Sequence, residues 1–390
     1  MTYKHAVKFY PVGNGDTSQI VLENQRRILF DFCHRGECAE DPDRPEINLK
    51  AVLKDELAQA ELDYFDVVAF THADKDHIQG STEFFWLEHA KKYHGEGRIK
   101  IKQLWVPAAM LLEKADNDHQ SEEFVLLRQE ARHRLLEGKG ILVFSQPQEL
   151  MDWLEPLLEA RGEAPSARDH LFVDAGTIVP GFSLSGDQVE FFCHSPFIEH
   201  CDTNDIIRNS AALVFNVRFD VGHGGRVDYL EVGDADWEDL EKIVRITRYH
   251  GNEDRLRWDL FNIPHHCSYK SLSDEKGEKE TTPKPLVEDL LKLGNAGAYI
   301  VSCSKPVPDE RSMYSEKQPP HIQARKAYQR YLDEVGGRRF LVTMEEPNAS
   351  KPQPISFEVS NQGVAMLRAA TLGAPAIIAS AAPRAGCARG

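Results

Sequence analysis

Residues 67–80 read VVAFTHADKDHIQG: an apolar run, then His72, Asp74, Asp76 and His77 within six positions. The apolar run, FDVVAF, has the length and composition of a buried strand. A helical pattern precedes it, INLKAVLKDELAQAEL, with Leu49, Val52, Leu53, Leu57 and Leu62 near helical spacing. Earlier still, HAVKFYPV, TSQIVLE and RRILFDF alternate as strands around a GNGD turn. Strand, helix and strand in that order predict an α/β protein. Four ligand-type side chains at H-x-D-x-D-H spacing, placed where a buried strand ends, are rare in a solvated loop.

Downstream of the motif, Ser81 or Thr82 can cap a helix through EFFWLEHAKKY, and IKIKQLWVP reads as a strand. Two further helical patterns follow, the second expected to bend at Pro156. Residues 110–170 are therefore expected to form a helical insertion, a candidate surface for a protein partner. Strand patterns then return: QVEFFCH, SAALVFNVRFD, RVDYLEVGDAD, WDLFNIPHH, GAYIVSC and RRFLVTM, with PISFEVS as one more. One domain is expected over residues 1–362. The stretch 363–390, rich in small residues, is expected to fray.

The formal net charge of −16 repels polyanions at long range and weighs against binding nucleic acid by basic surface alone. It leaves room for a phosphodiester substrate, because a bound divalent cation reverses the local charge. No run reaches the roughly eighteen apolar residues of a membrane span, so no membrane association is expected. The amino-terminal residues lack the pattern of a secretory signal. The cysteines, Cys33, Cys38, Cys193, Cys201, Cys267, Cys303 and Cys387, are seven, an odd number without CxxC pairs. These features predict a cytoplasmic protein with reduced thiols.

Candidate ligands recur at strand ends. VVAFTHADKDH ends in His72, Asp74, Asp76 and His77; VEFFCH ends in His194; YLEVGDAD ends in Asp234; LFNIPHH ends in His265 and His266. Strand ends along one rim are where rigid pieces assemble a site. In a tight loop His72 and Asp74 can aim at one ion while Asp76 and His77 turn toward a second. Imidazole with carboxylate suits a borderline divalent ion such as zinc or manganese. Asp234 is the candidate for a ligand shared between two ions. Taken singly, His194 would read as a satisfied or exposed histidine and GDAD as a turn; the ordered recurrence raises them together.

The order VGNGDTSQIVL…ILFDF, THADKDHIQG, SAALVFNV…YLEVGDAD, FNIPHHCSYKS and AYIVSCS resembles the metallo-β-lactamase-fold hydrolases. It looks most like their ComEC-like branch, in a stand-alone form, over about residues 5–345. That resemblance implies an αββα four-layer sandwich with a metal site on one edge. It implies that His72, Asp74 and His194 serve one ion and Asp76, His77 and His265 the other, with Asp234 bridging. Asp31 matches an aspartate that orients a ligand, and Asp16 the acidic residue of the glycine turn. His266, Ser268 and His321 become candidates for substrate contact, with His265 and His266 left as alternatives for the last ligand. The broader superfamily has histidine where Asp74 stands, an aspartate that the ComEC-like branch shares; Cys267 in place of a glycine and Pro320–His321 in reversed order depart from the family pattern.

The expected activity is hydrolysis of a phosphodiester, in DNA or a nucleotide, by a hydroxide held on one or two divalent ions. Asp76 and Asp234 are the expected catalytic carboxylates. Two alternatives stand beside it: hydrolysis of an ester, lactone or thioester on the same fold, and a metal-stabilised binding module without catalysis.

Overall fold

The computed structural model describes residues 4–35, 45–95, 97–113, 121–201 and 208–367. Strands β1 (His5–Phe9), β2 (Ser18–Val21), β3 (Arg27–Phe30), β4 (Tyr64–Ala69) and β5 (Lys100–Pro107) open the chain. Next come β6 (Ile141–Phe144), β7 (Phe172–Val173), β8 (Val189–Ser195), β9 (Val214–Gly222) and β10 (Gly225–Val232). The last five are β11 (Trp258–Asn262), β12 (Gly294–Ser302), β13 (Arg339–Val342), β14 (Ile355–Ser360) and β15 (Gly363–Leu367). They form a nine-stranded sheet, β15-β14-β1-β2-β3-β4-β5-β6-β7, and a six-stranded sheet, β13-β12-β11-β10-β9-β8.

Strand alternation explains the layers. Ile28 and Phe30 of β3 face the second sheet while Leu29 faces outward, and Tyr229 of β10 faces inward while Leu230 and Val232 face outward. The middle core joins Val7, Phe9, Phe30 and Trp105 of the first sheet to Phe191, Phe215, Val217 and Leu260 of the second. On the outer face of the first sheet lie α1 (Leu49–Gln59), the short turns α2 (Lys75–Ile78) and α3 (Ser81–Phe84), and α4 (Ala108–Leu112). α5 (Glu122–Glu137) and α6 (Gln148–Glu159) complete that layer, and the single turn α7 (Ile198–Cys201) follows. On the outer face of the second sheet lie α8 (Trp237–Tyr249), α9 (Pro285–Leu291) and α10 (Ile322–Glu334). The chain is an αββα sandwich.

Local chemistry sets the helix starts. Asn48 caps α1 by accepting from the Ala51 amide, and Ser121 caps α5 by accepting from Phe124. α6 continues through Pro156 as one helix. The helix expected over EFFWLEHAKKY stops after Phe84. There Phe85 bridges Ile99, and Trp86 donates to the Ile99 carbonyl (2.8 Å), taking the bonds that a longer helix would use. Residues 110–170 supply a strand as well as helices, since β6 pairs in parallel with β5. The first sheet also runs past the boundary expected at residue 362, through β15. The rest of the tail lies outside the described residues, as do Cys38 and Cys387. Among the described residues, Cys33, Cys193, Cys267 and Cys303 are free and buried, and no helix is long and apolar enough to cross a membrane.

β3, β4 and β5 run parallel, as do β10, β11, β12 and β13. Parallel strands send their C-terminal ends to one edge, where loops can converge.

Candidate metal centre

Five strand-end loops meet at that edge. The β1–β2 turn brings Asp16, the residue after β3 is Asp31, and β4 leads into His72, Asp74, Asp76 and His77. Asp234 follows β10, and His265 and His266 follow β11. Asp16, His77, Asp234 and His266 each offer one ligand atom, and these four atoms all lie within 4.8 Å of one another. All four residues are buried. His77 Nε2 stands 3.4 Å from Asp234 Oδ1 and 3.6 Å from Asp16 Oδ2, while His266 Nε2 is 3.8 Å from Asp234 Oδ2.

The test for a cation is whether buried donor atoms lack partners. His72 Nε2, His77 Nε2 and Asp16 Oδ1 are buried and make no hydrogen bond. Unpaired buried polar atoms are costly, and their convergence among carboxylates fits a divalent ion. The described residues therefore form a donor set that fits a metal.

Asp31 organises this set. Its Oδ1 accepts from the Thr71 amide (2.7 Å), and its Oδ2 accepts from Thr71 Oγ1 (2.6 Å) and His77 Nδ1 (2.7 Å). Thr71 Oγ1 in turn accepts from His72 Nδ1 at 3.1 Å. Satisfying these partners puts the Nδ1 protons outward and leaves both Nε2 atoms facing the centre. Asp31 itself sits at φ +54°, a left-handed conformation that aspartate tolerates better than most residues. On the other side, His266 Nδ1 donates to the Cys303 carbonyl at 2.8 Å.

The electrostatics agree. Burial alone would push the His77 imidazolium down, yet Asp234 and Asp31 hold its pKa well above the ordinary value. His266 is likewise penalised by burial, but Asp234, Asp76 and Asp16 raise it to about 9. Burial opposes ionisation of Asp76 as well; its bond to His266 (Nε2 to Oδ2, 3.0 Å) and the nearby His77 nonetheless hold it at about 2. Without a metal, protons hold the carboxylates together.

The expected residues divide. Asp16, the acidic residue of the GNGD turn, joins the four-atom cluster, and Asp76 touches it through His266. His72 faces Asp74 (3.6 Å) and Asp234 (3.9 Å). Of the two histidines after β11, His266 enters the cluster in place of His265. His265 turns to Asp236 (Nδ1 to Oδ1, 3.4 Å), while its amide donates to Asp234 Oδ1 (3.1 Å). Three consecutive left-handed residues, His265, His266 and Cys267 at φ +53°, +52° and +65°, set this orientation. Each such residue stores strain, of the kind that gathers at functional sites.

His194 is a correction. Its Nδ1 pairs with Thr247 Oγ1 (3.1 Å) and its Nε2 with the Arg255 carbonyl (3.0 Å), so no lone pair is left for an ion. The β8–β9 register shifts between Cys193 and Ser195, which takes His194 out of the ladder. Burial pushes its pKa down to about 4, as expected of a neutral ring. Ser268 and His321, expected to contact substrate, are both buried. Ser268 Oγ accepts from the Lys270 amide, and His321 Nδ1 accepts from the Tyr269 amide (3.4 Å). They brace the loop after β11.

Sequence reading missed Thr71, Cys303, Asp236 and Arg208. Arg208 binds Asp74 Oδ1 through Nη1 (2.9 Å) and clamps Glu113 through Nε (2.9 Å) and Nη2 (2.6 Å). Only Thr71 carried a signal, lying beside His72 at the end of β4.

No family model and no curated protein matches this chain. Among solved structures, a diphosphatase from the PhnP family is 11% identical, covering 92% of this chain and 100% of its own, with a TM-score of 0.32. The metallo-β-lactamase MIM-1 from Novosphingobium pentaromativorans is 13% identical over 84% and 87%, at 0.27. A long-form RNase Z from yeast is 9% identical over 93% and 42%, at 0.34. Alignments at that level decide nothing about this chain, whose layers follow from its own sheets and cores.

Proposed function

We propose that this chain is a metal-dependent hydrolase of the metallo-β-lactamase kind, ComEC-like in its motifs, acting on a phosphodiester in DNA or a nucleotide. The observation that carries the reading is the convergence of Asp16, His77, Asp234 and His266, with His77 Nε2 and Asp16 Oδ1 buried and unpaired. Asp16, His77, Asp234 and His266 would hold a divalent ion, zinc or manganese by their chemistry, with His72 and Asp76 at its margin. Such an ion supplies Lewis acidity, which polarises a phosphoryl oxygen and makes water a stronger nucleophile.

The protein's own groups do the rest. Asp31 and the Cys303 carbonyl hold Nδ1 protons, which fixes the His77 and His266 rings and their tautomers. Asp76, held ionised at neutral pH, accepts hydrogen bonds and orients what lies beside His266. A cleft of about 420 Å³ opens against Asp76 and is also lined by Arg35, Lys75 and Gln79. Two cations on its wall suit an anionic ester better than a neutral lactone, which is why the phosphodiester is preferred. The acidic remainder of the surface favours a small or partner-delivered substrate over long bare DNA.

Purified protein reconstituted with Mn²⁺ or Zn²⁺ should hydrolyse bis-para-nitrophenyl phosphate, and Asp234→Ala should abolish turnover. Turnover of a lactone or thioester panel without phosphodiester cleavage would move the assignment to the second chemistry. Tight metal with no turnover would leave a binding module.

A further inference from the structure

We propose that the centre holds a single divalent ion, in the Asp16–His77–Asp234–His266 half, and that the Arg208 guanidinium is the fixed cation of the other half. This rests on the hydrolase reading above and narrows it.

The two halves are unequal. One has four buried donor atoms within 4.8 Å of one another. The other would need His72, Asp74 and His194. His194 has spent both ring nitrogens on Thr247 and Arg255. Asp74 has given Oδ1 to Arg208 at 2.9 Å, leaving Oδ2 toward His72. What remains is one imidazole nitrogen and one half-neutralised carboxylate, with Asp234 shared. A second dication there would sit on a carboxylate already paired with a positive charge, at a cost that low-dielectric surroundings enlarge.

Arg208 is built in rather than swinging. Glu113 grips it as a fork from α4's C-terminal end, the Ala73 carbonyl accepts from Nη1 at 3.2 Å, and its guanidinium carbon lies 5.0 Å from the Phe124 ring centre. The side chain is 20% exposed, so an anion can reach it. Four of its N–H groups are spent on Glu113, Ala73 and Asp74, leaving one Nη2 hydrogen of the five for a ligand. A pre-positioned guanidinium beside a metal half-site can neutralise a phosphoryl oxygen without a second ion. It also selects anionic substrates over neutral ones.

The full chain, saturated with Mn²⁺ or Zn²⁺ and desalted, should carry one ion by elemental analysis and native mass spectrometry. Inorganic phosphate, titrated calorimetrically into the loaded protein, should bind about tenfold more weakly to Arg208→Gln, the loss of one charge-assisted contact. Two equally retained ions in the wild-type chain would overturn the inference while leaving the hydrolase reading intact. Unchanged phosphate affinity in a folded Arg208→Gln would overturn it too. No retained ion would sink the metal centre itself. The wild-type count decides even where the variant does not fold.

Discussion

Replacing Asp31 by asparagine should weaken metal binding through two histidines at once. The Asp31 carboxylate accepts three hydrogen bonds of 2.6–2.7 Å in a buried site, from the Thr71 amide, Thr71 Oγ1 and His77 Nδ1. Asparagine offers one acceptor oxygen and one NH₂. With the oxygen toward the Thr71 amide, the NH₂ faces Thr71 Oγ1 and His77 Nδ1, and both must become acceptors. His77 then carries its proton on Nε2. The Thr71 hydroxyl turns to donate to His72 Nδ1, which moves that proton to Nε2 as well. Neither ring can then ligate. The opposite amide orientation restores both rings but sets the NH₂ against the Thr71 amide, a buried donor–donor clash of about 1–3 kcal/mol. The metal-free protein takes the first arrangement and the metal-bound protein is forced into the second. That difference predicts roughly a 10–100-fold loss of affinity, with a far smaller loss of metal-free stability. Competition against a chromophoric chelator measures the affinity, and urea unfolding of the stripped protein measures the stability. An Asp31→Asn protein that binds within about threefold of wild type would refute the tautomer reasoning.

His194→Ala should keep its metal yet lose about 1–3 kcal/mol of stability, because Thr247 and the Arg255 carbonyl lose their buried partner; a drop in metal content would contradict this. Gly15→Ala should weaken metal binding, since an added Cβ would meet Cys33 Sγ at 2.6 Å and the Asp76 carbonyl at 3.0 Å, prising the Asp16 turn from the metal loop. Equilibrium dialysis of the folded variant checks it. The raised His266 and His77 contribute stability to the metal-free protein that is complete below the ordinary histidine value near pH 6.5. It is lost as pH rises through the folded value, about 9 for His266. Metal must displace the same protons, so affinity and metal-induced stabilisation should both increase from pH 6.5 to 9. Thermal melts with and without metal across that range test the sign.

The reading of strand ends carried far because parallel strands deliver their C-terminal residues to one edge. That rule singled out His72, Asp76, His77 and Asp234, while Asp31 came from the family resemblance. It failed where local backbone geometry, rather than residue type, sets direction. A bulge in β8 sends His194 toward α8, and three left-handed residues decide between His265 and His266. Nothing in HHCS announces that conformation, because Cys267 stands where a glycine would have signalled it. Arg208 was invisible for another reason: it belongs to no motif and reaches Asp74 across 134 positions of sequence. The helix after Gly80 was overextended because the bridge from Phe85 to Ile99 is a tertiary bond, outside any window of periodicity.

Anomalous scattering from crystals of the metal-loaded protein, collected at the absorption edge of the bound element, is the most direct test. We expect a peak bonded to His77 Nε2, His266 and the carboxylates of Asp16 and Asp234. A peak held by other residues, or none at those four side chains in protein that retains metal, would contradict the account.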